Sequence, residues 1–170
     1  FKENLKFLHI APEYCFIKLF KNMKNLDYTT GDLISPWADV KMDVHDIPFE
    51  DNHFDVVICN HVLEHVKDDK KVMKEFFRVM KKGGWGIFQV PIDYNNAYTK
   101  EDKSITDPKQ REKLYWQSDH LRLYGRDYGT KLEDAGFTVT ENNFIEKLDR
   151  SLVERYALPK GELIYFCEKK

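Results

Sequence analysis

His61-Val62-Leu63-Glu64-His65 sets two imidazoles around a carboxylate. On a helix His61 and His65 would share a face, and two histidines with a glutamate can hold zinc and activate water. The motif follows directly on the apolar run "HFDVVICN" instead of lying inside a long helix, and no further ligand stands out downstream. The plainer expectation is that Leu63 packs inward while Glu64 and His65 make surface contacts. His120, in "SDHLRLYGRDY", is a second candidate. Asp119 beside it can orient the ring as a general base, and Arg122 and Arg126 can bind an acidic group. Equally, His120 and Tyr124 can anchor a loop. Three carboxylates complete the set, Glu13, Asp32 and Asp43, each at the end of a short β-favouring run.

These residues need a scaffold that gathers them. Apolar periodicity predicts strands over 5–10, 27–30, 40–44, 53–60 and 85–91. It predicts helices over 13–23, 69–80 and 127–135, the second opened by acids, closed by Lys81 and Lys82 and stopped by Gly83-Gly84. "FTVTENNF" and "GELIYFCEK" read as two final strands that pair antiparallel, with no clear helix between them. The stretch 92–122 lacks periodicity and reads as a long functional or mobile loop. Alternating strands and helices predict a mostly parallel α/β sheet with ligands at the carboxyl ends of its strands.

The bulk properties exclude several classes. The chain has 170 residues, 42% hydrophobic and 14% aromatic, which suits a globular domain with its own core. With 27 basic and 29 acidic residues it has a net charge of −2, so it shows no footprint for nucleic acid or an anionic membrane. Cys15, Cys59 and Cys167 are unpaired in spacing and read as reduced core thiols of a cytoplasmic protein. The chain opens on Phe1, from which a preceding N-terminal segment is expected.

The stretch "MDVHDIPFEDNHFDVVICNHVLEHV", with "FFRVMKKGGWGIFQVP" and "LEDAGFTV" after it, strongly resembles the class I S-adenosylmethionine-dependent methyltransferases. The likeness runs through nearly the whole chain as a single domain. It implies a Rossmann-like seven-stranded sheet of order 3-2-1-4-5-7-6 with strand 7 antiparallel, S-adenosylmethionine as cofactor, and a small-molecule acceptor. By the same resemblance Asp32 would accept from the ribose hydroxyls, and Asp43 from the adenine amino group, with Val44 offering its backbone N–H to the ring. Asn60 and His61 would lie by the methionine part. Some such enzymes use a Glu-His pair here for a divalent metal, which makes His61, Glu64 and His65 a possible site.

Two departures stand out. The family's first turn is an acid followed by Gly-x-Gly, where glycine gives close backbone approach and unusual φ. Here the turn is His9-Ile10-Ala11-Pro12-Glu13, similar to a small group of methyltransferase-like proteins with "HIAPE". Ala11 is read as small enough for close approach, and Glu13 as the replacement acid for the cofactor's amino group, with His9 contacting cofactor or backbone. The stretch 33–39 is also too short for a crossover helix, which needs about 10–12 residues with its loops, so the fold is trimmed between strands 2 and 3. Three function classes follow: a methyltransferase, a degenerate binding protein of the same fold, and a zinc hydrolase using His61, Glu64 and His65. The absence of G-x-G-x-x-G argues against a nicotinamide-dependent Rossmann enzyme.

Overall fold

The computed structural model describes residues 3–159 and 161–170. Its main sheet uses β1 (Leu5–Ile10), β2 (Leu26–Asp32), β3 (Val40–Lys41), β4 (Phe54–Asn60), β5 (Met80–Gln89), β8 (Thr138–Asn142) and β9 (Ile164–Glu168). The order is β3-β2-β1-β4-β5-β9-β8. Strands β1 to β5 run parallel, and β9 is antiparallel to both of its neighbours. This is the expected order, reversed strand included. The third strand is shorter than expected, because the chain leaves the ladder after Lys41 to line a cleft. No helix joins β2 to β3.

The central strands are apolar on both faces, as a doubly covered parallel sheet requires. Phe54, Val56, Val57 and Cys59 of β4 are all buried. Helix α2 (Asp69–Val79) lays Val72, Met73, Phe76 and Val79 against them, and the Asp68 carboxylate caps its start by accepting from the Lys71 N–H. It stops earlier than expected. Met80 is already extended and begins β5, and the chain bulges at Lys81–Gly84 before pairing resumes at Val56 with Trp85. Gly83, at φ 77°, serves that bulge and not a helix end. Lys81 pairs with Asp55 on β4.

Helix α1 (Tyr14–Lys21) buries no residue fully. Tyr14 touches Trp37 edge-on, and both stay exposed. Cys15, expected in the core, is exposed because this helix buries none of its residues, while Cys59 and Cys167 are core thiols as expected. Among the described residues no helix is long and apolar enough to cross a membrane.

The stretch 92–122 is structured, contrary to expectation. It contains β6 (Lys100–Glu101), α3 (Pro108–Tyr115) and the start of β7 (Arg122–Leu123), and β6 pairs antiparallel with β7. Asp107 caps α3 and Pro108 sits at its first turn, a start signal present in the sequence without an apolar stripe to advertise it. Helix α4 (Tyr128–Asp134) then leads into β8, and a short 3₁₀ turn (Phe144–Lys147) and α5 (Arg150–Arg155) fill the connection that was expected to lack helix.

Arg122 locks this region to the sheet. Its guanidinium is fully buried and donates to the carbonyls of Leu63 and Val66 at 2.6 Å each, and to Glu101 at 3.0 Å. The Tyr124 hydroxyl donates to Asp69 at 2.9 Å. Arg122 therefore cannot reach a substrate, contrary to expectation, and Arg126 bonds the Tyr94 carbonyl. Replacing Arg122 by methionine takes the donor from the buried Val66 carbonyl and the counter-charge, 3.6 Å away, from the buried Asp69 carboxylate, so a loss of about 3 kcal/mol or more is expected in urea unfolding. A loss under about 1 kcal/mol, the size of an exposed pair, would show that the clamp is not structural.

Candidate active site

The carboxyl ends of β1, β2, β3 and β4 open on a cleft of about 550 Å³. Ile10, Ala11, Asp32, Met42, Asp43 and Val44 line one side of it, and Val62, His65 and Val66 another. The crevice outside the strand ends is where open α/β sheets take ligands.

The glycine-free turn keeps the backbone shape that glycine would give. Ala11 has φ 47°, a left-handed conformation costing a non-glycine residue roughly 1 kcal/mol or more. Its N–H still donates to the Gly31 carbonyl at 2.8 Å. One strand away, His61 repeats the device at φ 55°, with its N–H on the Gln89 carbonyl at 2.8 Å. Strained residues at two adjacent strand ends mark a site.

Glu13 is held in place from both sides. His9, buried in a ring cluster with Phe7, Phe20 and Tyr28, places Nε2 2.8 Å from Glu13 Oε2. A carboxylate only accepts, so Nε2 carries the proton there. The Tyr28 hydroxyl lies 2.8 Å from the other ring nitrogen. Asn60 Nδ2 donates to Glu13 Oε1 at 2.8 Å, and Asn60 Oδ1 is buried without a partner among the described residues. Burial raises the Glu13 pKa, but the hydrogen bonds from His9 and Asn60 outweigh it and bring the group down to about 2. His9, at the end of β1, thus orients the Glu13 carboxylate.

Asp32 Oδ1 accepts from the backbone N–H of Ile34 and Ser35, both at 2.8 Å, so it shapes the turn and also faces the cleft. Asp43 Oδ1 accepts from the His45 N–H at 2.9 Å and meets His45 Nδ1 at 2.6 Å. These bonds, the backbone one first, lower its pKa. Gly31, beside this wall, leaves room for the Met42 side chain, which an added Cβ would strike.

Residues 61–66 form a turn and no helix, so His61 and His65 do not share a helical face. Leu63 is buried as expected. Glu64, expected at the surface, is 1% exposed, and neither of its oxygens accepts a hydrogen bond among the described residues. His61 is exposed, and the Glu64 carboxylate, 3.4 Å from its Nδ1, raises its pKa. Asp119 does not orient His120. It lies 3.3 Å from His65 Nδ1 and accepts from Gln117, while His120 Nδ1 faces the Tyr115 carbonyl at 2.7 Å. Sequence reasoning missed the burial of Glu64 and the pairing of His65 with His120. Both depend on the return of the 92–122 stretch, which spacing does not encode.

Residues 15–88 match the family model described as "Methyltransferase domain", starting just past the glycine-free turn. A crystal structure of Burkholderia thailandensis 1,6-didemethyltoxoflavin-N1-methyltransferase, with 1,6-didemethyltoxoflavin and S-adenosylhomocysteine bound, superposes with a TM-score of 0.65 at 12% identity, covering 99% of this chain and 72% of that one. This chain has the class I methyltransferase fold. It is 32% identical over 110 residues to the uncharacterized protein MJ1123 of Methanocaldococcus jannaschii, across 62% of this chain and 51% of that protein. It is 41% identical over 64 residues to the sterol 4-C-methyltransferase strm-1 of Caenorhabditis elegans, across 38% of this chain and 19% of that protein. The chain thus spans at most about half the length of these two relatives.

The residues around the cleft fit S-adenosylmethionine. Asp32 and Asp43 line the cleft and each keep a second oxygen for ligand hydroxyl or amino groups, while Glu13 and Asn60, outside the lining at the strand ends beside it, offer an ionised carboxylate and an amide oxygen without a partner among the described residues, acceptors suited to an ammonium.

The Glu13 shift has a consequence for stability. A carboxyl whose folded pKa is depressed stabilises the fold fully above its ordinary value, 4.5, and loses that contribution as pH falls toward about 2. Urea midpoints of the parent and of Glu13→Gln are expected to converge as pH drops from 5 toward 2. A gap that stays constant over that range would contradict the network.

Proposed function

We propose that this chain transfers a methyl group from S-adenosylmethionine to a small-molecule acceptor. The observation that carries this reading is the carboxylate held at the glycine-free turn, next to a cleft walled by two further aspartates. Following the resemblance, Asp32 would hold the ribose hydroxyls, Asp43 the adenine amino group with Val44 against the ring, and Glu13 with Asn60 the ammonium. When bound, the cofactor supplies an electrophilic methyl group on a sulfonium. The protein's own part is to keep an acceptor atom in line with it at near-attack distance, which is worth several kcal/mol of barrier.

The exposed rings of Tyr94, Tyr98 and Trp116 support an acceptor region made by the 92–122 stretch. His61, exposed at the end of β4, is the side chain best supported as a base for an acceptor that must lose a proton. His120 is buried with one ring nitrogen engaged, which favours a holding role over proton transfer. A hydrolase of the inverted zinc-peptidase kind is not favoured, because its motif needs a helix where residues 61–66 turn. The balanced charge supports an acceptor other than nucleic acid, and the two buried free thiols suit a cytoplasmic setting.

Calorimetric titration with S-adenosylmethionine and S-adenosylhomocysteine tests the reading. Hydrogen bonds to charged groups contribute about 1.5–3 kcal/mol, so Asp43→Ala and Glu13→Gln are each expected to weaken binding about 10- to 100-fold. No binding to a parent chain that circular dichroism shows to be folded would overturn it.

A further inference from the structure

Beside the cleft, the turn after β4 and the returning loop bring Glu64, His65 and His120 together. One ligand atom from each lies within 4.8 Å of the other two. The Glu64 carboxylate is 1% exposed, and neither oxygen has a hydrogen-bond partner among the described residues. Among the described residues its one ion pair is to the exposed His61, at 3.4 Å. A buried carboxylate left this way is costly, and native proteins rarely keep one without a counter-charge.

The two histidines are prepared as ligands. The Tyr115 carbonyl can only accept, so the 2.7 Å contact puts the proton of His120 on Nδ1. In the neutral ring Nε2 is then a lone-pair donor. His65 Nδ1 lies 3.3 Å from the Asp119 carboxylate, a charge contact that favours a proton on the same nitrogen. A carbonyl behind one imidazole and a carboxylate behind the other is the outer-shell arrangement that orients metal-ligating histidines. The rings meet edge to face, with centroids 4.7 Å apart. The backbone is fixed as well: Arg122 holds the Leu63 and Val66 carbonyls, and the Leu121 N–H donates to the Glu64 carbonyl at 2.8 Å.

We propose that Glu64, His65 and His120 bind one divalent first-row metal ion, with zinc the best match to two imidazoles and a carboxylate. Bond lengths of about 2.0–2.2 Å would draw the ligand atoms to roughly 3.5 Å apart, a small contraction. Three protein ligands leave at least one coordination position for water or a substrate oxygen. His65 also lines the cleft, so the ion would sit at its border. This proposal stands apart from methyl transfer, and its test reads metal and not activity.

The full chain, stripped with chelator, is dialysed against zinc and then against metal-free buffer, and its metal content and competition with a chromophoric chelator are measured. One zinc per chain is expected, with affinity falling at least about 10-fold in Glu64→Gln and in His120→Ala. Circular dichroism checks that each variant is folded. Asp119→Asn, on an exposed side chain outside the ligand set, guards against misfolding of the buried variants and is expected to weaken binding about 10-fold through His65. A folded parent that retains no zinc would overturn the proposal. So would retention unchanged across the folded variants, which would mean zinc on surface histidines only.

Discussion

The carboxylate of Glu13, suspended between His9 and Asn60, is the interaction on which the site depends. It pins the turn after β1 to the end of β4, across two strand ends whose spacing the β1–β4 ladder fixes. A Gly-x-Gly turn lets the backbone supply close approach while an acid one strand position earlier supplies charge. Under the proposed function the duties are redistributed: Ala11 takes left-handed strain to keep the approach, and Glu13, four residues past His9, is the acid, held by a buried imidazole. The strain at Ala11 is affordable because its N–H remains in the ladder on Gly31.

A second lock sits on the far side of the cleft. The 92–122 stretch would otherwise be a long polar excursion, but Arg122 and Tyr124 tie its return to the turn after β4 and the start of α2. The buried guanidinium is expensive to desolvate, and it is accepted because it satisfies the Leu63 and Val66 carbonyls of the turn and pairs with Glu101. The same return carries His120 to Glu64 and His65. One constraint therefore stabilises the loop and assembles the histidine cluster.

The sheet was legible in the sequence because its signal is local and ordered: apolar runs at the right intervals and motif fragments in the family's sequence. The short 33–39 connection was legible for the same reason, since a helix cannot fit. The misses share a different cause. Helix α3 has no apolar stripe, so periodicity passed over it despite Asp107 and Pro108 at its start. The burial of Arg122 and Glu64 comes from partners more than fifty positions away, such as Leu63 for Arg122. The adjacency of Asp119 and His120 suggested a pair, but the backbone turns Asp119 toward His65 instead. Glu13 was singled out by its position in the turn, while its two supports, His9 and Asn60, emerged only from the fold.

The most direct measurement is a ¹³C NMR titration of the Glu13 side-chain carboxyl in the folded chain, assigned by comparison with Glu13→Gln. The hydrogen-bonded network predicts that this carboxyl stays ionised to about pH 2, far below its ordinary midpoint of 4.5. A midpoint at the ordinary value would mean that His9 and Asn60 do not hold it, and the account of how this turn dispenses with glycine would fail.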